Sequence, residues 1–180
     1  MTKTILGLSG SLRRASINAG LLRAATEVAP EGLRIQTGSI HEVPLFNGDL
    51  EKAEGFPPAI KPLQAQLQAA DGVLLVTPEY SNGIPGVFKN AVDWMSRGPG
   101  QTMWAGKPVA LIGASPGGLG TVLAQNHWLP VLRTLKVAFW AEGRLMVSRA
   151  GDKFDESGTL TDDATREALA NFLKGFAKAL

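Results

Sequence analysis

Apolar residues occur along the chain in two alternating patterns, as short continuous runs and at helical spacing. The runs predict five strands, at residues 4–9, 33–37, 72–77, 108–114 and 137–147. Apolar residues three or four positions apart predict five helices, at residues 21–28, 60–70, 87–95, 121–135 and 161–178. Strands that alternate with helices are typical of a parallel sheet covered on both faces, so the predicted fold class is α/β.

Four places refine this pattern. Residues 41–58 are polar and contain three prolines and two glycines, which predicts a surface connection with little regular structure. Pro130 lies inside the fourth helical segment, where it must kink the helix or mark a restart. Gly143 could interrupt the last strand. Thr161 is predicted to cap the last helix, because two aspartates follow it in the first turn.

Composition limits the classes of protein to which the chain can belong. With 180 residues, 44% of them hydrophobic, the chain is predicted to form one domain over residues 1–180. A net charge of +2 without runs of like charge argues against a nucleic-acid partner. The absence of cysteine excludes thiolate catalysis, and no apolar stretch approaches the ~18 residues that span a bilayer. We therefore expect a soluble, cytoplasmic protein without a membrane partner.

The loop between the first strand and the first helix is rich in glycine and serine. Such a loop lets the backbone approach an anion, and the helix start adds N–H groups and the positive end of its dipole. Ser9, Ser11 and Ser16 add hydroxyl donors, and Arg13 or Arg14 adds a charge. The loop predicts a site for a phosphate monoester, and an ordinary Gly/Ser turn is the alternative interpretation.

Two further loops follow predicted strands. Residues 78–86 contain two prolines, two glycines, a tyrosine and an amide, which predict a rigid shelf with Tyr80 beside a flat heterocycle. The alternative is a plain strand-to-helix turn with a surface tyrosine. Residues 115–120 form the third loop, with three glycines. Because ligands of parallel sheets bind at the carboxyl ends of strands, the three loops predict one common site.

Other cofactor and metal motifs are missing. No Gly-x-Gly-x-x-Gly follows the first strand, and Gly106-Lys107 is followed by proline, which argues against dinucleotide and P-loop sites. His41 and His127 are far apart and lack neighbouring ligands, so we predict neither a metal site nor a catalytic histidine. The four tryptophans are predicted to lie in the core or in subunit contacts.

Two of the loops carry specific motifs. The first loop reads Gly-Ser-Leu-Arg-x-x-Ser-x-Asn, at Gly10, Ser11, Leu12, Arg13, Ser16 and Asn18. The second begins Pro-Glu-Tyr, at Pro78, Glu79 and Tyr80. Over nearly its whole length, the chain resembles the NADPH-dependent FMN reductase family, the flavodoxin-like group that includes chromate, quinone and azo reductases. The resemblance implies a five-stranded sheet of order 2-1-3-4-5 and noncovalently bound FMN.

The resemblance also implies which residues bind FMN. They come from all three loops: Ser9, Ser11, Leu12, Arg13, Ser16, Asn18, Pro78, Glu79, Tyr80, Ser81, Asn82, Gly83, Ser115, Gly117 and Gly118. Residues 81–83 depart from the Asn-x-Ser common in relatives. The resemblance therefore does not decide which side chain contacts the polar atoms of the flavin. Residues 117–120 lack the Ala-Arg that follows the glycines in several members. Oligomer contacts therefore cannot be carried over from them.

The implied oligomer is a dimer or a tetramer whose contacts close over the flavin. Trp94, Met95, Met103 and Trp104 cluster after the second loop. Because aromatic residues and methionine are enriched in subunit contacts, this cluster also favours a homo-oligomer, and we expect a dimer.

The implied activity is reduction of bound FMN by NADPH or NADH, with electrons passed to a quinone, an azo compound, a chromate-type oxyanion or free flavin. The flavin N5 accepts the hydride, so no catalytic residue is required, and the protein orients the ring and stabilises its reduced form. A ping-pong order is expected because both substrates need the same ring face. The alternatives are a redox sensor and a flavodoxin-type carrier of single electrons, although such carriers are typically acidic and this chain is slightly basic.

Overall fold

A computed structural model describes residues 1–180 and contains six strands in one sheet. The strands are β1 (Lys3–Ser9), β2 (Leu33–Gly38), β3 (Gly72–Val76), β4 (Pro108–Ala114), β5 (Ala138–Phe139) and β6 (Leu145–Val147). All pairings are parallel, in the order β2-β1-β3-β4-β5, and β6 also pairs with β4. The predicted α/β class and strand order are confirmed.

Seven α-helices connect or follow these strands. They are α1 (Ile17–Glu27), α2 (Gly48–Glu54), α3 (Ile60–Ala69), α4 (Gly86–Met95), α5 (Gly100–Met103), α6 (Val122–Thr134) and α7 (Asp163–Ala177), with a short 3₁₀ helix at Ala150–Asp152. No helix has the length and apolar character needed to cross a bilayer.

The hydrophobic core consists of two clusters, one on each face of the sheet. One cluster contains residues of α1 and α7, and the other contains residues of α3, α4 and α6. Side chains of the central strands alternate between them, so that Ile5 and Leu74 join the first cluster and Leu6 and Leu75 join the second. This two-sided burial explains why the central strands are continuous apolar runs. The four tryptophans belong to these clusters, which confirms their predicted core position.

Helix α2 contradicts the prediction that residues 41–58 lack regular structure. Asn47 begins this helix, because its side-chain oxygen accepts a hydrogen bond from the backbone N–H of Asp49 at 2.9 Å. None of the residues of α2 is buried. Only Leu50 packs against the core, and it is partly buried, so the hydrophobic pattern could not indicate the helix.

The last predicted strand, at residues 137–147, is two short strands. Strand β5 pairs with the beginning of β4 and β6 with its end. Between them, the Trp140 side chain packs on Phe172 of α7, with ring centroids 5.0 Å apart. A Cβ atom at Gly143 would lie 2.3 Å from the Trp140 ring, so this residue must be glycine where the chain passes the indole. The interruption near Gly143 is confirmed, and a continuous strand is wrong.

Two helix details bear on the sequence-based predictions. Helix α6 continues through Pro130 to Thr134, so a restart is wrong, and the kink stays a prediction. Helix α7 is capped by Asp162 rather than Thr161, because the Asp162 carboxylate accepts hydrogen bonds from the backbone N–H of Thr165 at 2.8 Å and from its hydroxyl at 2.6 Å. Thr161 instead donates its hydroxyl to the backbone carbonyl of Lys153.

Candidate functional site

The three loops that follow β1, β3 and β4 meet at one end of the sheet, because these strands are neighbours. Together they enclose a cavity of about 60 Å³. Its lining comes from all three loops: Ser11, Arg13, Ser16, Ile17, Asn18, Pro78, Glu79, Tyr80, Ala114, Ser115 and Pro116. The three loops therefore meet at one cavity, as expected from the positions of the strand ends.

The first loop is ordered by its own hydroxyl groups. Ser16 caps α1, since its Oγ accepts the backbone N–H of Ala19 at 3.1 Å. The Ser11 Oγ lies 3.3 Å from the Arg13 backbone nitrogen, which donates to it, and 3.3 Å from the Tyr80 hydroxyl. Ser11 and Ser16 are both buried, so their hydroxyls face the protein and the cavity rather than bulk water.

Arg13 and Arg14 differ in their relation to the cavity. Arg13 lines it, and Arg14 does not. Neither arginine takes part in an ion pair with a carboxylate. The positive charge of Arg13 is therefore free to meet an anion at the start of α1, where the helix dipole is also positive.

Asn18 joins the first loop to the end of β4. Its amide nitrogen donates to the Ala114 carbonyl at 2.8 Å, and its amide oxygen accepts the Ala114 N–H at 2.9 Å. Both polar groups of the buried side chain are therefore used within the protein. Asn18 holds two walls of the cavity together.

Gly10 allows the first loop to lie directly against the second. A Cβ atom there would lie 2.2 Å from Cδ1 of Phe88 and 2.9 Å from Cδ of Pro78. The Gly10 N–H also donates to the Val76 carbonyl at 2.9 Å. Because Phe88 is fully buried and cannot move aside easily, only glycine fits this contact.

The second loop contains a tight turn at Tyr80–Gly83. The Gly83 N–H donates to the Tyr80 carbonyl at 2.9 Å, and the Tyr80 N–H donates to the Gly83 carbonyl at 3.2 Å. Ser81 and Asn82 have φ angles of 48° and 61°, the left-handed conformations that a type I′ turn requires. Asparagine tolerates this conformation well, whereas serine is strained there. The departure from the family pattern at residues 81–83 is thus part of a defined turn.

Glu79 faces a helix of its own chain. One carboxylate oxygen, Oε2, accepts the backbone N–H groups of Leu123 and Ala124, both at 2.9 Å. These are the second and third residues of α6, whose first amides have no partner within the helix. The carboxylate is therefore a helix cap as well as part of the cavity wall.

In the third loop, Ser115 lines the cavity, whereas the glycines do not. Ser115 accepts the Gly117 N–H through its hydroxyl at 3.2 Å and is tied to β6 by its own N–H, which donates to the Val147 carbonyl at 3.0 Å. Gly117 and Gly118 are exposed and do not line the cavity. A Cβ atom at Gly118 would meet nothing within 4 Å, so that position remains open to a larger ligand.

The structure thus divides the predicted binding residues into two groups. Eight line the cavity: Ser11, Arg13, Ser16, Asn18, Pro78, Glu79, Tyr80 and Ser115. Seven do not: Ser9, Leu12, Ser81, Asn82, Gly83, Gly117 and Gly118. Ser9 lines a neighbouring cavity of about 210 Å³ between the ends of β1 and β2, which shares Ser11 with the first cavity, and the buried hydroxyl of Ser9 has no hydrogen-bond partner. The sequence-based prediction missed Ile17, Ala114 and Pro116, although Ile17 occupies a variable position of the first motif.

Comparison with known proteins identifies the family. The model of the family described as NADPH-dependent FMN reductase matches residues 3–152, well over half of the chain. The chain belongs to this family. The predicted resemblance is confirmed, and so is the expectation of an enzyme of the class that uses FMN and NAD(P)H.

Individual proteins similar to this chain support the same family assignment. An NAD(P)H-dependent FMN reductase of Pseudomonas aeruginosa is 43% identical over 170 residues, which cover 94% of this chain and 91% of the relative. A quinone reductase of Escherichia coli K12 is 35% identical over 176 residues, covering 97% and 93% of the two chains. Among solved structures, a flavoenzyme NAD(P)H:(acceptor) oxidoreductase of Paracoccus denitrificans superimposes with a TM-score of 0.86 at 32% identity, covering 98% and 96%.

Proposed function

We propose that the protein binds FMN at the cavity between the three loops and uses NADPH or NADH to reduce quinones. Azo compounds, chromate-type oxyanions and free flavin are further acceptors within the proposal. The observation that carries it is the cavity itself, which brings the buried hydroxyl of Ser11, the unpaired guanidinium of Arg13 and the start of α1 together. Several relatives, including those from Escherichia coli and Pseudomonas putida, are quinone reductases.

The chemistry of this cavity fits the phosphate end of FMN. Arg13 supplies a charge, the hydroxyl of Ser11 can donate a hydrogen bond, and the first amides of α1 add the positive end of a helix dipole. Ser16 and Asn18 would act indirectly, because the first caps α1 and the second is bonded to Ala114. The one carboxylate in the lining, that of Glu79, is hydrogen-bonded to backbone N–H groups of α6.

The turn at Tyr80–Gly83 would support the flat ring of FMN. The Tyr80 side chain is 46% exposed, so its ring offers an apolar surface beside the cavity. When bound, FMN supplies the hydride-accepting centre, and the protein needs no nucleophile of its own. A ring that lies against this turn leaves one face for both substrates. We therefore include a ping-pong order in the proposal, with NAD(P)H and the acceptor using that face in turn.

We also propose that the protein works as a homodimer or homotetramer. The sequence-based argument from the cluster of four residues is wrong for Trp94, Met95 and Trp104, because these side chains are completely buried within one chain, whereas Met103 is half-buried. Large apolar side chains are instead exposed elsewhere, with Leu45 at 80% and Leu119, in the third loop, at 69% exposure. Light scattering is expected to give a mass above the 19.0 kDa of one chain, and a monomer at micromolar concentration would contradict this part.

The experiment that tests the proposed function is purification followed by a flavin spectrum and steady-state assays. We expect bound FMN, oxidation of NADPH or NADH with a benzoquinone acceptor, and parallel double-reciprocal lines when both substrates are varied. Absence of flavin, or no oxidation with any acceptor of a small panel, would refute the proposal. Reduction in two separate one-electron steps without NAD(P)H oxidation would favour the single-electron carrier. The single domain over residues 1–180 and the cytoplasmic location stay predictions.

A further inference from the structure

Helix α6 receives its cap from a residue far away in sequence. Its own N-cap residue, Thr121, makes no side-chain hydrogen bond to the first amides of the helix. Glu79 supplies the missing acceptor, at 2.9 Å from both the Leu123 and the Ala124 nitrogen and 44 residues from the first of them. A carboxylate at this place combines charge-assisted hydrogen bonds with the favourable end of the helix dipole.

One further hydrogen bond and one close approach connect the same pieces of chain. The indole N–H of Trp128, on α6, donates to the Thr77 hydroxyl at 3.1 Å. At the other end, a Cβ atom on Gly83 would lie 3.6 Å from Nδ1 of His127, so the turn passes close to the next turn of α6. Thr77 and the first part of the shelf at residues 78–86 are thus hydrogen-bonded to α6 at Thr77 and Glu79, and the shelf passes close to α6 again at Gly83. Glu79 supplies the charged contact, in the middle.

The shelf needs such support because its backbone is strained. Ser81 and Asn82 are both in the left-handed region, at φ angles of 48° and 61°. Conformations of this kind persist only where the surrounding structure holds them in place. The two hydrogen bonds between Tyr80 and Gly83 act within the turn, whereas the Glu79 carboxylate fixes the residue just before it to a rigid helix.

We propose that Glu79 is a positioning residue. Its carboxylate anchors the shelf to the N-terminus of α6 and thereby holds the Tyr80–Gly83 turn in the conformation that meets the flavin ring. The carboxylate acts on the turn rather than as a flavin ligand, because its Oε2 already accepts two backbone N–H groups of α6. The part that concerns the ring rests on the proposed function, whereas the anchoring of the shelf can be tested without flavin.

The first test is amide hydrogen exchange on the flavin-free protein, for the wild type, Glu79→Ala and Glu79→Gln. We expect the Gly83 amide, bonded to the Tyr80 carbonyl, to exchange roughly 2- to 30-fold faster in Glu79→Ala, the range that loss of a helix cap produces. Glu79→Gln keeps one acceptor oxygen and should lie between the wild type and Glu79→Ala. Unchanged exchange at Gly83 in both variants would overturn the proposal.

The matched control is Asp162→Ala. This substitution also removes an acidic helix cap, that of α7, where the carboxylate accepts the Thr165 N–H at 2.8 Å. It should lower thermal stability about as much as Glu79→Ala while leaving exchange at Gly83 unchanged. If Asp162→Ala accelerated Gly83 exchange equally, the effect would be general destabilisation, and the proposed anchoring would be wrong.

The second test compares the binding of FMN and of riboflavin, which lacks the phosphate. A displaced Tyr80–Gly83 turn supports the flavin ring less well, and FMN and riboflavin share this ring. Glu79→Ala should therefore lower the affinity for both ligands by the same factor, about tenfold. Weaker binding of FMN alone would place Glu79 at the phosphate and refute the proposal. If the wild type bound neither ligand, the proposed function would fail, and the exchange experiment would still decide whether Glu79 anchors the shelf.

Discussion

Arg13 and Arg14 are neighbours with the same charge that lie differently relative to the cavity. Only Arg13 lines the cavity, beside Ser11 and the start of α1. Replacing Arg13 by alanine should therefore remove a charge-assisted hydrogen bond to the FMN phosphate. Replacing Arg14 by alanine removes only a charge outside the cavity, whose attraction for the phosphate is screened by water and salt.

The expected size of the effect follows from the exposure of Arg13. A hydrogen bond to a charged group contributes about 1.5–3 kcal/mol, which corresponds to roughly 10- to 150-fold in affinity. Because Arg13 is exposed, water competes for the phosphate, and we expect the lower part of this range, near tenfold. Arg14→Ala should change affinity less than about threefold. Arg13→Lys keeps the charge without the planar guanidinium, so its affinity should lie between those of the wild type and Arg13→Ala.

The assay is quenching of FMN fluorescence at fixed ionic strength, with riboflavin measured in parallel. Riboflavin has no phosphate, so its affinity should be nearly equal in all four proteins. A larger loss for Arg14→Ala than for Arg13→Ala would show that the motif is in a different register from the one we infer. Equal losses for FMN and riboflavin in Arg13→Ala would show that Arg13 does not bind the phosphate.

Four further predictions concern the contacts around the site and at the opposite end of the sheet. Gly10→Ala should lower stability by about 1–3 kcal/mol, visible as a lower Tm, because the new methyl group overlaps the buried Phe88 ring; an unchanged Tm would contradict the contact. Asn18→Ala should destabilise by about 1–3 kcal/mol for each Ala114 group left without a partner, measured by urea unfolding, whereas weaker FMN binding at wild-type stability would make Asn18 a ligand. FAD should bind much more weakly than FMN, because a cavity of about 60 Å³ leaves room at the first loop for a terminal phosphate but not for the nucleotide attached to it in FAD, and equal affinities in the quenching assay would refute that. Hydrogen bonds from β1 hold the pKa of Asp71 below its usual 3.8, so its carboxylate stabilises the fold above that pH. The stability difference between the wild type and Asp71→Asn should be constant from about pH 5 to 7 and should shrink as the pH falls below 3.8, whereas a difference that grew on acidification would contradict this.

Burial on both faces made the central strands predictable from the sequence. Val73 and Leu74 pack into opposite clusters, and a short run in which every residue is apolar is typical of such a strand. Helix α2 escaped prediction because it buries no residue and forms through the cap at Asn47. The gap between β5 and β6 depends on where the Trp140 ring packs, which no local pattern reveals.

At the site, residues placed by the local motif could be predicted, whereas contacts between distant parts of the chain could not. Motif spacing placed Arg13 and Ser11 at the cavity, because a strand followed directly by a helix leaves few conformations for the loop. The partners of Asn18 and Glu79 lie 96 and 44 residues away, so their side chains could be assigned to the site but not to their actual contacts. Long-range hydrogen bonds of this kind leave no periodic signal in a sequence.

Tyr80 is the one tyrosine of the chain. Its hydroxyl lies 3.3 Å from the Ser11 Oγ, and its ring is at the cavity. Growth on fluorotyrosine would therefore place a single fluorine label at this position, with no substitution elsewhere in the protein. One ¹⁹F resonance would then report from between the first and second loops, so ligand entry, exchange rates and alternative ring orientations could be followed by NMR in the unmodified sequence.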